Sequence, residues 1–505
     1  MKKVILFICL IILLVVGVGR SYVDVTSVSN MNFEYNEGLI YSLESLPDTI
    51  SPRESLNKGE EDLVSNIFSG LVEVNEKGEP IPDLAMGWTI SDDGLEYTFK
   101  INEKNKWSNG TEVTAKDFQI FFRDLLSPDN EDYTSNELYS IYGVKDYREG
   151  KIDFSEVAIS SPDDYTLVLR MNNKDDNLLK NLAKPIYRLR DLNEPLDNYK
   201  SDFNEISYTG PYVIYDVTKD GFIRLKDNPY NSSKLEIKDI AFKEKDSDEI
   251  ELAAFNLEKV DILKNPPIIY SEDIGLYKDL SKYNNDTLKL MVVNSDKAEM
   301  AQGISNIMKV LISDSNILKN NLGEPYIKVI NNKEEINSIK NDGANSNYNV
   351  SESEKNNLKE AGKNTLKKVL SNNEVLKIVV GNNEEDKALA NELKKVLDKE
   401  LAIKSIVKIH DEGIEEVIKS GEFNIAFGEF NLNEKNSENL KKEDIDKEEK
   451  KVEDNNEESE KETTSENSNL SLVSLYFKND IWCKSPKVNY LFIDGNGNLI
   501  LKYSS

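Results

Sequence analysis

The sequence predicts an α/β fold, because strand-like and helix-like segments alternate and one stretch has the order strand, helix, strand. Residues 376–411 begin with LKIVV, continue through a helical pattern and end with SIVKIH. A strand–helix–strand unit implies a parallel sheet with helical cover. The next strand is predicted at Phe423–Phe430. The buried stripe of the predicted helix consists of Leu389, Leu393, Val396 and Leu397.

Half-buried strands are predicted in the first half of the chain. In Leu95–Ile101, apolar and polar residues alternate strictly, and Asp164–Met171 repeats that pattern. Two further strands between Gly210 and Tyr230 are predicted to form a hairpin. Residues 341–355 are rich in Asn and Ser and predict a loop.

A helix is predicted to begin after Thr114. Thr114 is a suitable N-cap with Asp117 at the third helical position, and Val113 and Phe118 fit a hydrophobic staple. Trp107, just upstream, leaves two alternatives, packing in a core or contacting a ligand. One apolar face of the helix consists of Phe118, Phe121, Phe122, Leu125 and Leu126.

Length and charge restrict the class of protein. The 505 residues suffice for two or three domains, and the net charge of -29 argues against nucleic acid as a partner. Residues 434–468 hold 14 acidic and 7 basic residues with few large apolar ones. This composition predicts a disordered acidic loop or a solvated helix. It contains no calcium-loop pattern, so a calcium site is the less favoured alternative.

The N-terminus predicts export. Lys2 and Lys3 precede an apolar run, so residues 1–20 are interpreted as a secretory signal peptide or an uncleaved N-terminal anchor. The two cysteines, Cys9 and Cys483, leave no internal disulfide once the signal is removed. The one histidine, His410, has no accompanying nucleophile motif and is expected at the surface or at a strand end. We therefore expect no enzyme, metal or cofactor.

The segment from Leu95 to Pro128, LEYTFKINEKNKWSNGTEVTAKDFQIFFRDLLSP, resembles the signature of family 5 extracellular solute-binding proteins. The resemblance continues in order through LVEVNEKGEPIPDLAMGW, GVKDYREGKIDFSEVAISSPDDYTLVLRM and YTGPYVIYDVTKDGFIRLKDNPY. Near the end, SLYFKNDIWCKSPKVNYLFIDGNGNLILKY resembles the closing strands of that family. Several long motifs in the same order make the resemblance specific.

The resemblance implies a fold and a division into domains. The fold is a two-lobed periplasmic-binding-protein-like clamp of class II type, α/β in each lobe, with an extra domain on the first lobe. The expected divisions are lobe one at 33–52, 163–270 and 471–505, the accessory domain at 53–162, lobe two at 271–433 and the acidic loop at 434–468.

The resemblance also implies where a peptide is bound. The family pairs the peptide amine with a carboxylate in lobe two, and the matching place is GEFNLNEKN. There Phe430 replaces a tryptophan and Asn433 replaces the aspartate; Glu429 or Glu434 are alternative sources of charge. The predicted ligand-binding residues are Tyr133, Phe430, Asn433 and Tyr476, with no catalytic and no metal-binding residue.

Two functions follow from the resemblance. The first is the extracytoplasmic, monomeric substrate-binding protein of an ABC transporter, which binds peptides between two lobes for import through a membrane permease. The second is a divergent peptide sensor or surface interaction module that no longer serves an importer. The altered segment around Asn433 and the absence of the family's Arg-x-Ala helix in lobe two keep the second alternative open.

Overall fold

The computed structural model describes residues 38–52, 58–266, 281–297, 299–314, 323–330, 350–370, 374–382, 384–410, 414–431 and 470–505. The predicted signal or anchor, Asn433, Glu434 and the acidic segment 434–468 lie outside these residues. The chain divides into two compact units, the first comprising Met1–Pro266, Asp279–Ser281 and Trp482–Ser505, and the second Pro267–Lys278 and Lys282–Ile481. In the described residues, no helix has the length and apolar character needed to cross a membrane.

The first unit contains eleven described strands and six helices. Its strands are β1 Leu39–Leu43, β2 Val72–Val74, β3 Pro80–Pro82, β4 Ala85–Ile90, β5 Glu96–Ile101, β6 Ile159–Asp163, β7 Thr166–Arg170, β8 Tyr212–Val217, β9 Ile223–Asp227, β10 Asp239–Glu244 and β11 Ile262–Lys264. Its helices are α1 Lys58–Ile67, α2 Ala115–Leu125, α3 Val144–Arg148, α4 Leu178–Leu182, α5 Tyr199–Asp202 and α6 Asp248–Asn256.

The second unit contains the remaining described elements. Its strands are β12 Ser281–Asn294, β13 Gly323–Ile330, β14 Leu376–Val380, β15 Ser405–Ile409, β16 Ile425–Asn431 and β17 Leu470–Lys484. Its helices are α7 Glu299–Asp314, α8 Glu352–Val369, α9 Glu384–Lys395 and α10 Ile414–Ser420. β17 begins in this unit and ends in the first, since the division falls between Ile481 and Trp482.

The predicted helix at Thr114 is present as α2. The Thr114 side chain accepts a hydrogen bond from the Asp117 backbone N–H, and the Asp117 carboxylate accepts one from the Thr114 N–H at 2.7 Å. Val113 and Phe118 are both fully buried, as a hydrophobic staple requires. Trp107 is buried in the same core, which favours packing over ligand contact.

The predicted strands of the first unit are confirmed. β5, β7 and their neighbours form an antiparallel sheet in the order β4-β5-β7-β6, with Tyr97, Phe99 and Ile101 facing the core. β8 and β9 form the expected antiparallel hairpin. They lie at one edge of a second sheet, in the order β11-β1-β10-β9-β8.

The strand–helix–strand unit is also confirmed. β14 pairs in parallel with β15 and with β16, and Leu389, Leu393, Val396 and Leu397 pack in the core between α9 and the sheet. The strand order in this unit is β15-β14-β16-β12-β17, with β13 beside β17. β12 is antiparallel to β16.

The predicted loop at 341–355 is wrong at its C-terminal end. α8 begins at Glu352, and a capping box between Ser351 and Glu354 fixes its first turn. The sequence contains the Ser-x-x-Glu spacing that produces this cap, but the high Asn and Ser content of the segment favoured the prediction of a loop. His410 follows β15 directly, at the strand end where it was predicted.

Candidate functional site: a charged cluster in the second unit

Charged side chains from four elements meet beside the predicted recognition segment. Lys289 lies in the middle of β12 and Glu429 is its direct partner on β16. Opposite charges on directly paired residues of antiparallel strands attract each other. The Lys289 Nζ donates to Glu429 Oε1 at 3.1 Å, and it also pairs with Asp386. Lys289 is fully buried. Its ion pairs with Glu429 and Asp386 offset the cost of removing its charge from water.

A second lysine approaches Glu429 from β17. The Lys478 Nζ lies 2.8 Å from Glu429 Oε1 and 3.4 Å from Glu385 Oε2. Tyr476 is two residues earlier, so its side chain lies on the same face of β17. Its hydroxyl donates to Glu385 Oε1. Glu385 and Asp386 lie in the first turn of α9, where the helix dipole favours negative charge.

The cluster, defined as Lys289, Glu385, Asp386, Glu429 and Lys478, carries one excess negative charge, from three carboxylates and two ammonium groups. Its exposure is graded. The Lys289 side chain is 0 % exposed, the Lys478 side chain 26 % and the Glu429 side chain 40 %. Glu429 is therefore the member of the cluster that is most accessible to solvent.

The pKa shifts of Glu429 and Lys289 keep both groups charged at neutral pH. Burial alone would raise the pKa of Glu429, but Lys289 and Lys478 outweigh it and lower the pKa to about 2. Burial alone would lower the pKa of Lys289, but Glu385, Glu429 and Asp386 outweigh it and raise the pKa. Burial and the nearby negative charge of Glu385 raise the pKa of Tyr476 far above its usual value, so Tyr476 remains a donor.

This arrangement can attract a cation. The Glu429 carboxylate is ionised and accessible, and the lysines beside it are held by carboxylates. Among the described residues, no group of three or more His, Cys, Asp or Glu side chains is placed to hold a metal ion. The arrangement is suited to binding an organic ammonium group at Glu429.

The structure brings only part of the predicted site together. Tyr476 contacts the cluster through its hydrogen bond to Glu385 and is buried, with 1 % of its surface exposed. Phe430 follows Glu429 in β16, where its backbone pairs with Leu288. Asn433 lies outside the described residues. Contact of these residues with a ligand remains a prediction.

Tyr133 lies elsewhere, in the core of the first unit. Its side chain is fully buried, and its hydroxyl lies 3.0 Å from that of Tyr187. The two rings meet edge to face, and Arg148 donates to the Tyr133 carbonyl. In this conformation Tyr133 presents no exposed surface to a ligand, and its role in binding remains a prediction.

Sequence reasoning missed Lys289, Glu385, Asp386 and Lys478. One signal was available, because Lys289 interrupts the apolar run LKLMVV, and a lysine inside a buried strand must find a partner. The partners themselves could not be identified, since Lys289 and Glu429 are 140 residues apart.

Comparison with known proteins identifies a family that the chain resembles. Residues 79–308 match the profile of bacterial extracellular solute-binding proteins, family 5 Middle. The chain is 29 % identical over 206 residues to the oligopeptide-binding protein OppA of Bacillus subtilis, covering 39 % of this chain and 37 % of OppA. It is 32 % identical over 230 residues to AliB of Streptococcus pneumoniae, covering 43 % of this chain and 34 % of AliB. The matched region thus spans about a third of the length of these relatives.

Solved structures extend the likeness in fold to nearly the whole chain. Listeria monocytogenes OppA bound to peptide aligns with a TM-score of 0.60 at 18 % identity, covering 92 % of this chain and 98 % of that one. Haemophilus influenzae OppA in complex with RPPGFSPFR aligns with a TM-score of 0.60 at 17 % identity, covering 93 % and 99 %. The predicted α/β fold of the periplasmic-binding-protein type is thereby confirmed.

Proposed function

Residues 79–308 match the family 5 extracellular solute-binding proteins, and from this premise we propose that the chain is a member of that family and binds peptides outside the cytoplasmic membrane. It delivers them to the permease of an ABC importer and acts by binding alone, without covalent chemistry. It works as a monomer, exported by its N-terminal apolar segment, which either is cleaved or remains as an anchor.

One observation carries the proposal, the exposed carboxylate of Glu429, which is ionised at neutral pH, in a cluster with one excess negative charge. Glu429 is next to Phe430, in the segment where the family resemblance predicts binding of the peptide amine. Asn433 brings no charge, so Glu429 supplies the carboxylate instead. A charge-assisted hydrogen bond of this kind contributes about 1.5–3 kcal/mol.

The lysines beside Glu429 limit the strength of its interaction with a peptide ammonium group. Lys289 and Lys478 already share its carboxylate oxygen, so an incoming ammonium group meets a partly compensated charge. We therefore expect Glu429 to contribute at the lower end of the range. Most of the affinity then comes from hydrogen bonds to the peptide main chain, which are insensitive to side-chain sequence.

Binding of a peptide pool to the purified protein tests the proposal. We expect short peptides to be retained and identified by mass spectrometry, and to raise the melting temperature. If no peptide is retained and none stabilises the protein, the proposal is wrong. Peptide binding without uptake in cells that carry the cognate permease would instead favour the sensor alternative.

The substitution Glu429→Gln tests the role of the carboxylate. We expect about a tenfold weaker Kd for peptides with a free amine, and no change for the same peptides after N-acetylation. Glu422→Gln is the matched control, because Glu422 is exposed in the same unit and outside the cluster. Equal losses for free and acetylated peptides would show that Glu429 acts only through the fold. Calorimetric titration supplies the measurement.

A further inference from the structure

β15 is the last described strand at one edge of the sheet in the second unit. The Leu376 N–H donates to the Lys404 carbonyl at 2.9 Å, and the His410 N–H donates to the Val380 carbonyl at 2.8 Å. Backbone groups two residues apart in a strand point the same way, so those of residues 404, 406, 408 and 410 face β14. Those of 405, 407 and 409 face outward.

Only the beginning of this outer edge is closed. The Ser405 N–H donates to Asp398 Oδ1 at 2.8 Å, which satisfies the first outward group. The backbone groups of Val407 and Ile409 also face outward, and the described part of the chain places no further strand there. An open strand edge of this kind accepts an added strand.

The side chains on this edge are apolar and unusually exposed. Ile406 is 39 % exposed, Ile409 56 % and Val375, at the neighbouring position before β14, 40 %. An open cavity of about 520 Å³ lies beside Val375 and Ile406, and its lining also includes Asp398, Ala402, Lys404 and Ser405. Exposed apolar side chains next to a cavity are typical of a binding surface.

The same edge is basic. Lys377 pairs with Ile406 in register, and Lys404 and Lys408 stand on either side of Ile406 on the same face. These three lysines have no ion-pair partner within the residues described by the structure. We call Val375, Lys377, Lys404, Ile406, Lys408 and Ile409 the basic edge. On a chain with a net charge of -29, such a surface selects an acidic partner.

An acidic segment of the same chain follows β16, close to the basic edge. β16 ends at Asn431, and the chain then runs outside the described residues until Leu470. β14 is parallel to both β15 and β16, so Asn431 and Ile409 lie at the same end of the sheet. In this register Phe427 is level with Ile409, so Asn431 lies four residues, about 13 Å, further along the strand direction. Together with two strand spacings of about 4.8 Å, the separation is about 16 Å, which about five extended residues cover.

The composition of this attached segment complements the basic edge. Residues 434–468 hold 14 acidic and 7 basic residues, and the stretch 453–466 alone holds seven acidic residues and one lysine. Its few large apolar residues are Leu440, Ile445 and Val452. A second copy of the chain is a poorer occupant, because two chains of this charge repel each other.

We propose that the basic edge is the docking site of the acidic segment 434–468 of the same chain. The segment leaves β16 at the end near Ile409 and runs antiparallel along β15, where its backbone pairs with Val407 and Ile409. Its carboxylates lie against Lys377, Lys404 and Lys408. Docking covers the open edge, which otherwise is a site for aggregation. This inference does not depend on peptide transport.

Residue-resolved hydrogen exchange on the full-length chain tests the backbone pairing. The amides of Val407 and Ile409 are expected to exchange at least tenfold faster when the seven acidic residues of 453–466 are changed to the corresponding amides. Lys404→Gln with Lys408→Gln is expected to have the same effect. The Leu376 amide, which bonds to Lys404, is the internal control and stays unchanged. Unchanged exchange at Val407 and Ile409 would overturn the proposal.

Carbodiimide cross-linking tests the identity of the occupant. The reagent joins a lysine to a carboxylate in direct contact, and we expect links from Lys404 or Lys408 to residues 453–466 within the monomer. Lys367 and Lys368, exposed on α8, are the matched control lysines. Equal linking from the control lysines would overturn the proposal, and so would links found only between two copies of the chain.

Discussion

The two units hold their buried charges in different ways. In the first unit, Lys264 lies 2.9 Å from Asp62, and the side chains are 3 % and 0 % exposed. Asp62 also accepts from the Tyr41 hydroxyl at 2.6 Å and from the Leu499 N–H at 2.8 Å. In the second unit, buried Lys289 forms ion pairs with Asp386 and with Glu429, and Glu429 is accessible to solvent.

Charge balance shows the same contrast. In the first unit, Lys502 lies 2.8 Å from Glu73 and 3.1 Å from Asp83, and Arg188 lies 3.8 Å from Asp83. Two cations meet two anions there, all nearly buried. The cluster of the second unit keeps one negative charge unbalanced. A balanced, closed network joins distant parts of a fold, whereas an unbalanced one that reaches solvent can serve binding.

The largest effect is expected from removing the buried ion pair between Lys264 and Asp62. Lys264→Met leaves Asp62 buried without its cation, so we expect the free energy of unfolding of the first unit to fall by about 3–5 kcal/mol. Urea unfolding followed by tryptophan fluorescence measures it, because Trp88, Trp107 and Trp482 all lie in the first unit.

Two comparison variants sharpen this result. Lys219→Met removes an exposed lysine of the first unit and is expected to change stability by less than about 0.5 kcal/mol. Lys478→Met removes a partly exposed lysine of the second unit and is expected to cost about 1 kcal/mol. A loss at Lys264 no larger than at Lys478 would contradict the distinction between the two networks.

A smaller effect concerns Asp494 in the first unit, where burial raises the carboxyl pKa from 3.8 to about 6. The folded state then binds a proton that the unfolded state releases between these values, so stability falls as pH rises from about 4 to 6. The difference amounts to about 3 kcal/mol. Asp494→Asn removes this pH dependence. The new amide can donate to the Asn498 Oδ1, which has no hydrogen-bond partner among the described residues.

The difference in unfolding free energy between Asp494→Asn and the parent protein, measured from pH 4 to 7, checks this prediction. The variant is expected to gain stability over the parent as pH rises. A difference that stays constant over this range would show that Asp494 is already ionised in the folded protein.

The smallest expected effect is a pH dependence of stability in the second unit. Here stability falls as pH falls, which is opposite in sign to the effect of Asp494. Lys289 and Lys478 lower the pKa of Glu429 to about 2 against its burial, so its stabilising contribution is present above pH 4.5 and is lost as pH falls toward 2. Because Glu429 is 40 % exposed, we expect less than about 1 kcal/mol. Hydrogen exchange in β12 and β16 from pH 5 to 3 measures it. Glu429→Gln should flatten this dependence, and an unchanged slope would contradict it.

Local signals explain which parts of the fold were predictable. Thr114 and Asp117 are three residues apart, so their mutual hydrogen bonds follow from sequence spacing. Tyr97 and Phe99 alternate with polar residues, so the strand and its buried face follow as well. The start of α8 at Ser351 was equally local but was masked by composition. These features depend on contacts within one turn or one strand.

The candidate site was predictable only in part. The family resemblance directed attention to the segment around Phe430, and the structure adds the carboxylate next to it. Lys289 pairs with Glu429 because β12 and β16 are aligned in one particular register, and a shift of one residue would turn the two side chains to opposite faces. Strand register depends on the packing of the whole sheet.

The sequence by itself determined the α/β class, the strand–helix–strand unit, the cap at Thr114 and the resemblance to the family 5 solute-binding proteins, because each rests on short-range spacing or on ordered motifs. The tertiary structure alone decided which charges meet. Lys264 and Asp62 are 202 residues apart, and Lys289 and Glu429 are 140 residues apart. Their pairing depends on long-range packing and burial, since a buried charge is stable only where the fold brings its partner to it.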